Sequence, residues 1–344
     1  MLMQKMTSLL GTALLAVSIG SVAAVAQDKV LNVLSYGGPW NEVQEKTVLE
    51  RFKKETGFTV TLGSQPVNSV APIMAAKDNP VYDLVWMPAE DHAALSAAGL
   101  LLPLDYSNIP HAKELHEGSA LPDGVTTSYA AVALVYNKDK IKTAPTSWED
   151  LWNPAFKGHV VLGDLPHSYG MSFLVTAAKL AGGGEANIDP GFEKLKALKP
   201  SISGFYKNSG VAAQMFQQGT AWIGPWYHGR AKYMADRGVP LEYVIPKEGA
   251  PPYISVLGVV KGSKHKAIAE RYIDMVLQPE AQIAWAKIIG AGPANKMVKL
   301  EADVATTVPY GEEQIKRLVK LDWSTILKSQ DKWIERWQRE ISAP

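Results

Sequence analysis

Short apolar runs of strand character alternate with helical periodicity along most of this chain, and that alternation confines it to α/β folds with largely parallel sheets. Residues 30–34 read as the first strand and run into Ser35-Tyr36-Gly37-Gly38-Pro39-Trp40. A helix is predicted to follow, with Asn41 as its N-cap and Gln44 completing a capping box. It turns Val43, Val48, Leu49 and Phe52 inward and stops at Gly57. Strands follow at 58–62 and 83–87, then a helix from Glu90 to Gly99. A second block opens with the apolar run 130–136 and continues with a strand at 160–162 and a helix over Ser168–Leu180. Beyond the loose Gly182-Gly183-Gly184 loop come a strand at 221–224, a helix over 227–237 closed by Gly238, and strands at 241–245 and 255–260. Helices are expected at 264–277, 280–289, 312–321 and 325–341. No internal repeat or low-complexity segment interrupts this order.

Three strand ends carry glycine together with aromatic or polar residues: Tyr36 to Trp40, Gly163 to Tyr169, and Gly224 to Arg230. Glycine lets backbone N–H groups approach a bound solute closely. In open α/β sheets, ligands sit beyond the carboxyl ends of strands. Each loop alone is equally well a tight strand-to-helix turn. Three of them, divided between two blocks, point to a cleft with walls from both.

Composition narrows the chemistry. The 344 residues are 47% apolar and 20% charged with a net charge of +1, so no basic or acidic block suggests nucleic acid or a membrane surface. The length suits about two domains. There is no cysteine, which removes disulfides, thiolate metal sites and cysteine nucleophiles. The first 26 residues have the form of a secretory signal: Lys5, an apolar stretch from Leu9 to Val22, and the small-residue pattern Ala24-Val25-Ala26. The mature chain is then exported and starts near Gln27. A nucleophile elbow, a Walker loop, an HExxH helix and a GxGxxG turn after a strand are all missing, and the seven histidines are scattered. His111 and His116 fall in a polar loop. No catalytic residue, metal site or cofactor is expected.

Several segments carry a resemblance: Phe52-Lys53-Lys54-Glu55-Thr56-Gly57, Tyr82-Asp83-Leu84-Val85, Ala133 to Asn137, Thr146-Ser147-Trp148-Glu149-Asp150-Leu151-Trp152-Asn153-Pro154 with Lys157-Gly158, Pro246-Lys247-Glu248-Gly249, and Gln278-Pro279-Glu280. In this order they resemble the periplasmic solute-binding proteins of ABC transporters, specifically the polyamine (spermidine/putrescine)-binding family. The resemblance implies a type II periplasmic-binding fold, with two α/β lobes joined by strands crossing near 132–136 and 253–258. It implies lobes at 27–133 with 256–302 and at 134–255 with 303–344. It also implies a periplasmic location, a small-molecule solute, a membrane permease as partner and a monomeric state.

The same resemblance shows a departure. Polyamine binders hold ammonium groups with carboxylates and sandwich the methylenes between aromatic rings. Here the family's acidic positions fall on Leu165, Ser168 and Ser255, and on Gly38 or Pro39 in the opening loop. An aromatic is kept at Tyr253, and another matches Pro225 or Trp226. Arg230, one turn into its helix, would suit a carboxylate, or else lies on an exposed helix face. Glu90 and Asp91 are the acids placed to meet an amine, and a helix-start acid explains them equally well. The expected site is Tyr36, Gly37, Gly38, Trp40, Glu90, His167, Ser168, Trp226, Tyr227, Arg230, Tyr253 and Ser255, holding a carboxylate or a zwitterion such as an amino acid or γ-aminobutyrate. Trp323, Trp333 and Trp337 are read as core. The competing readings are putrescine or spermidine binding, ferric iron held by tyrosines, a sensory binding protein, and an enzyme on the same scaffold.

Overall fold

The structure is a computed structural model describing residues 29–65, 69–165, 167–316, 318–319 and 321–343, so the signal sequence expected over 1–26 lies outside the described residues. The strands among the described residues are β1 (Val30–Ser35), β2 (Thr59–Ser64), β3 (Leu84–Pro88), β4 (Ala120–Leu121), β5 (Gly124–Asn137), β6 (Val160–Gly163), β7 (Ile202–Tyr206), β8 (Ile223–Tyr227), β9 (Leu241–Val244), β10 (Pro252–Val259) and β11 (Gly292–Pro293). Hydrogen bonding runs in the order β2-β1-β3-β10-β5-β8-β6-β7, with β4, β9 and β11 also on β5.

One strand joins two sheets. The first part of β5, up to Ala131, pairs antiparallel with β10. From Val132 onward it pairs with β8 and β9. The outer strands of each half run parallel, β1 with β2 and β3, and β6 with β7 and β8. Parallel strands need helices on both faces, and each half has a core on either side of its sheet. In the first, Phe52, Trp86, Tyr272 and Trp285 pack on one face and Ile73, Met87, Leu95 and Val256 on the other. In the second, Trp148, Phe173, Leu174 and Phe192 oppose Tyr206, Phe216 and Trp226. The last helix, Trp323–Trp337, lays Ile326, Trp333 and Trp337 into the second half's core and passes beside Ala89–Ala97 of the first.

Two local expectations are corrected, and both bear on the site. The helix after β1 begins at Pro39 rather than beyond Asn41, and its N-cap is Gly38. Proline at the first helical position arrives with φ preset and no N–H to satisfy. Gly37 and Gly38 take φ of 75° and 55°, a region closed to most L-residues, and their carbonyls receive the amides of Trp40, Asn41 and Glu42. Gln44, read as a capping partner, points into the core.

The second correction concerns β8. The strand covers Ile223–Tyr227 and its helix begins at His228, so Pro225 and Trp226 lie inside the strand and not in a loop after it. Successive side chains of a strand face opposite ways. The helix expected over 312–321 is described as Glu312–Lys316. No helix among the described residues is long and apolar enough to cross a membrane.

Candidate ligand-binding site

A cavity of about 550 Å³ opens between the two halves. The first half contributes the end of β1 with Tyr36 and Trp40, the end of β3 with Pro88, Glu90, Asp91 and Ala94, and Tyr253 from β10. The second contributes His167, Ser168 and Tyr169 after β6, Asn208 to Gly210 at a helix start, and Tyr227 and Arg230 after β8. Trp323, Leu327 and Gln330 of the last helix add to the lining, as do Gln65, Val70 and Met171.

Tyr253 is the centre of the aromatic wall. Its ring lies 6.2 Å from Tyr36, 5.4 Å from Tyr169 and 5.4 Å from Tyr227. Tyr36 in turn stands edge-on to Trp40 at 4.8 Å. Burial raises the pKa of all four phenols, so they remain neutral hydroxyls. The Tyr227 hydroxyl donates to the Ile289 carbonyl at 3.2 Å, tying this second-half residue to the first half. His167 caps the helix Ser168–Leu180, its Nδ1 accepting from the Tyr169 amide at 3.2 Å. Burial lowers its pKa to about 4, so the ring is neutral at pH 7.

Charge is divided across the cleft. Glu90, only 9% exposed, has its pKa raised to about 8 by burial, with the Asp91 charge adding and the Ser168 hydroxyl opposing. Asp91 is occupied otherwise, accepting from the Ser69 amide at 2.8 Å and the Ser69 hydroxyl at 2.6 Å. Arg230 faces them from the second half. Among the described residues no carboxylate pairs with its guanidinium, and its Nη1 lies 3.6 Å from where a side chain on Gly38 would begin. That is an ordinary contact distance, so the left-handed backbone, and not space for the arginine, is what asks for glycine at this position. Such a cavity can hold a dipolar solute, with an anion on the guanidinium, a cation toward Glu90 and methylenes between rings.

Of the expected residues, Tyr36, Trp40, Glu90, His167, Ser168, Tyr227, Arg230 and Tyr253 come together in this cavity. Gly37 and Gly38 shape its loop without lining it, and a side chain on Gly37 would stand 2.7 Å from Ser64 Oγ. Ser255 lies opposite Pro88 in the sheet, buried behind the wall. Trp226 is elsewhere: with β8 extending to Tyr227, alternation turns it to the far face, where it stacks on Phe216 at 5.4 Å. Gln65, the Asn208 turn and Trp323 lie outside the expected site, and Tyr169, though it ends one of the three strand-end loops, is not among the expected site residues. Tyr169 follows directly on the helix start already singled out. Trp323 is expected in the core with Trp333 and Trp337; it does pack against that core, and its exposed part also lines the cavity. No cluster of three His, Asp or Glu able to hold a metal occurs among the described residues.

Residues 47–310 match the family of bacterial extracellular solute-binding proteins. The chain is 30% identical over 295 residues to the spermidine/putrescine-binding periplasmic protein of Salmonella typhimurium, covering 81% of this chain and 82% of that one. It is 28% identical over 290 residues to the gamma-aminobutyric acid-binding protein of Pseudomonas aeruginosa, covering 80% of each. An ABC transporter structure from Clostridium perfringens aligns with a TM-score of 0.74 at 27% identity, covering 90% of this chain and 99% of that one. The fold is the type II periplasmic-binding fold. These relatives bind solutes and do not transform them, and the implied partner is a permease. The chain therefore belongs to the bacterial extracellular solute-binding proteins, the components that capture a small solute for an ABC transporter.

Proposed function

We propose that the solute is a small zwitterion bearing a carboxylate and an amine, of the γ-aminobutyrate kind, and not a polyamine. The carrying observation is Arg230, a guanidinium without an ion-pair partner among the described residues, in the same cavity as Glu90. A planar guanidinium can meet a carboxylate through two parallel bonds. The same guanidinium would repel one end of a diamine. A polyamine needs several carboxylates, and among the described residues only Glu90 and Asp91 line the cavity as acids, the second already taken by Ser69. The name of the Pseudomonas aeruginosa relative supports this reading. The polyamine reading is favoured by the name of the Salmonella typhimurium relative.

On the same proposal the chain is exported, loses its leader near Ala26 and works as a monomer. Its lobes divide near Val132, where β5 changes partners, and the last helix rides with the second lobe.

Calorimetric titration of the mature protein tests the ligand. γ-Aminobutyrate should bind more tightly than putrescine. Arg230→Ala should weaken it roughly 100-fold, the scale of charge-assisted hydrogen bonds to a carboxylate. Tight putrescine binding that survives Arg230→Ala would overturn the proposal.

A further inference from the structure

Three strands bring polar groups to one place behind the aromatic wall. β1 leads into Tyr36, β3 ends at Pro88 two residues before Glu90, and β10 sets Ser255 opposite Pro88. Glu90 Oε1, the Tyr36 hydroxyl and Ser255 Oγ are all shut from water; the Tyr36 hydroxyl has the Ser255 and Tyr253 hydroxyls beside it, and none of the three oxygens makes a well-formed hydrogen bond among the described residues. Buried polar atoms are nearly always partnered, so orphaned oxygens beside an open cavity mark a place prepared for a donor. Asp91 is held by Ser69 and is not part of this group.

We infer that Glu90 is the receptor for a primary ammonium, and that it gives up its own carboxyl proton as the ammonium arrives. This rests on the zwitterion reading above. In the empty cleft the neutral carboxyl leans on the Ser168 hydroxyl of the other lobe. When the ligand enters, the O–H bond of Glu90 breaks and its proton passes to the solvent buffer. The ligand keeps its three N–H bonds and directs them to Glu90 and the Tyr36 hydroxyl, which line the cavity, while Ser255 stands behind Tyr36. An ammonium carrying three methyl groups has no N–H to give and would leave these oxygens unpartnered, despite the surrounding rings that suit any cation.

The groups facing Glu90 fit this exchange. Its own helix adds the Asp91 charge, which favours the neutral carboxyl, and burial acts in the same direction. The strand ends contribute the neutral phenols of Tyr36 and Tyr253, and the opposite lobe contributes neutral His167, Ser168 and Tyr169. Arg230 is the one permanent cation among the described lining residues, and the reading assigns it to the ligand's carboxylate.

The test is calorimetric titration of the mature protein with γ-aminobutyrate at pH 7, in phosphate and in Tris, whose protonation enthalpies differ. The buffer dependence should report release approaching one proton for the native protein and near zero for Glu90→Gln. Native affinity should rise about tenfold from pH 6 to 7 and flatten above 8, as a single titrating carboxyl requires. The trimethylated analogue should bind at least about 100-fold more weakly than γ-aminobutyrate. Binding of γ-aminobutyrate without proton release, or equal binding of the trimethylated analogue, overturns this inference and leaves the zwitterion reading standing. Failure of γ-aminobutyrate to bind at all overturns both.

Discussion

Gln44 shows how single residues hold the site from behind. Its side chain is fully buried, and its amide is used on every side. Nε2 donates to Ser35 Oγ at 2.9 Å and to the Trp40 carbonyl at 3.0 Å. Oε1 accepts from Trp86 Nε1 at 3.1 Å and from the Tyr272 hydroxyl at 2.5 Å. One side chain thus ties the end of β1 to the helix that carries Trp40 and to the strand that leads to Glu90. Satisfied buried networks of this kind specify a unique arrangement, whereas broken ones leave several orphans together. Gln44→Met keeps the volume but removes all four bonds. It should cost about 3 kcal/mol in urea unfolding, as expected for orphaned buried donors. It should also weaken ligand binding several-fold, because Tyr36 and Trp40 flank the lost bonds. Unchanged unfolding would mean that the network contributes nothing.

Between elements, the two lobes meet backbone against backbone at Gly229. The helix His228–Ala235 meets the end of the helix Pro279–Ile289 at Gly229, where an added Cβ would stand 1.9 Å from the Ile289 carbonyl. Gly229→Ala must therefore push the lobes apart. It should lower stability by about 2 kcal/mol, a usual cost of overpacking. It should also weaken ligand binding, since Tyr227 and Arg230 sit on the displaced element and Tyr253 does not. Calorimetric titration and urea unfolding check both, and native affinity in the variant would refute the argument. Much of this architecture was legible in the sequence, because long periodic segments such as Ser168–Leu180 announce themselves and strand ends locate the cleft. Short elements without a clear period were not. The edge strand β7, with glycine at its middle, and the helix Ser209–Gln217 passed unread. Trp226 and Tyr227 were harder still. They are adjacent aromatics in a five-residue strand, so no apolar alternation says which one faces the cavity, and a one-residue change of boundary exchanges them. Trp323 depends on where the last helix docks, which is a tertiary fact.

At the scale of the whole molecule, three buried titratable groups set opposing trends with pH. Glu90 has its pKa raised from 4.5 to about 8, so the native empty protein holds a proton there that the unfolded chain has lost. The stability it favours is present below pH 4.5 and is lost as pH rises toward 8. His167 and His228 are both lowered from 6.5 to about 4 by burial. Their contribution is full above pH 6.5 and is lost as pH falls through that window. His228 matters most for shape. It lies at the junction, its Nδ1 3.1 Å from the Ala131 carbonyl oxygen at the point where β5 passes between sheets. Among these three groups, the two histidines outweigh Glu90 from pH 4.5 to 6.5 and Glu90 acts alone above 6.5; Asp91, also raised by burial, adds to the Glu90 trend, and His116, lowered by burial, to that of the histidines. Stability of the empty protein should therefore peak near pH 6.5, with limbs of about 1.4 kcal/mol per pH unit for each net proton. Calorimetric melting of the mature protein from pH 5 to 9 would trace the curve. Glu90→Gln should flatten the alkaline limb, and His167→Gln with His228→Gln should reverse the acid limb, because Glu90 then acts alone from pH 4.5 upward. Saturating ligand should level the alkaline limb, because a bound ammonium gives the ionised Glu90 the partner it lacks in the empty cleft and the gain in affinity offsets the loss of stability. An alkaline limb that persists unchanged in Glu90→Gln would show that another group governs it.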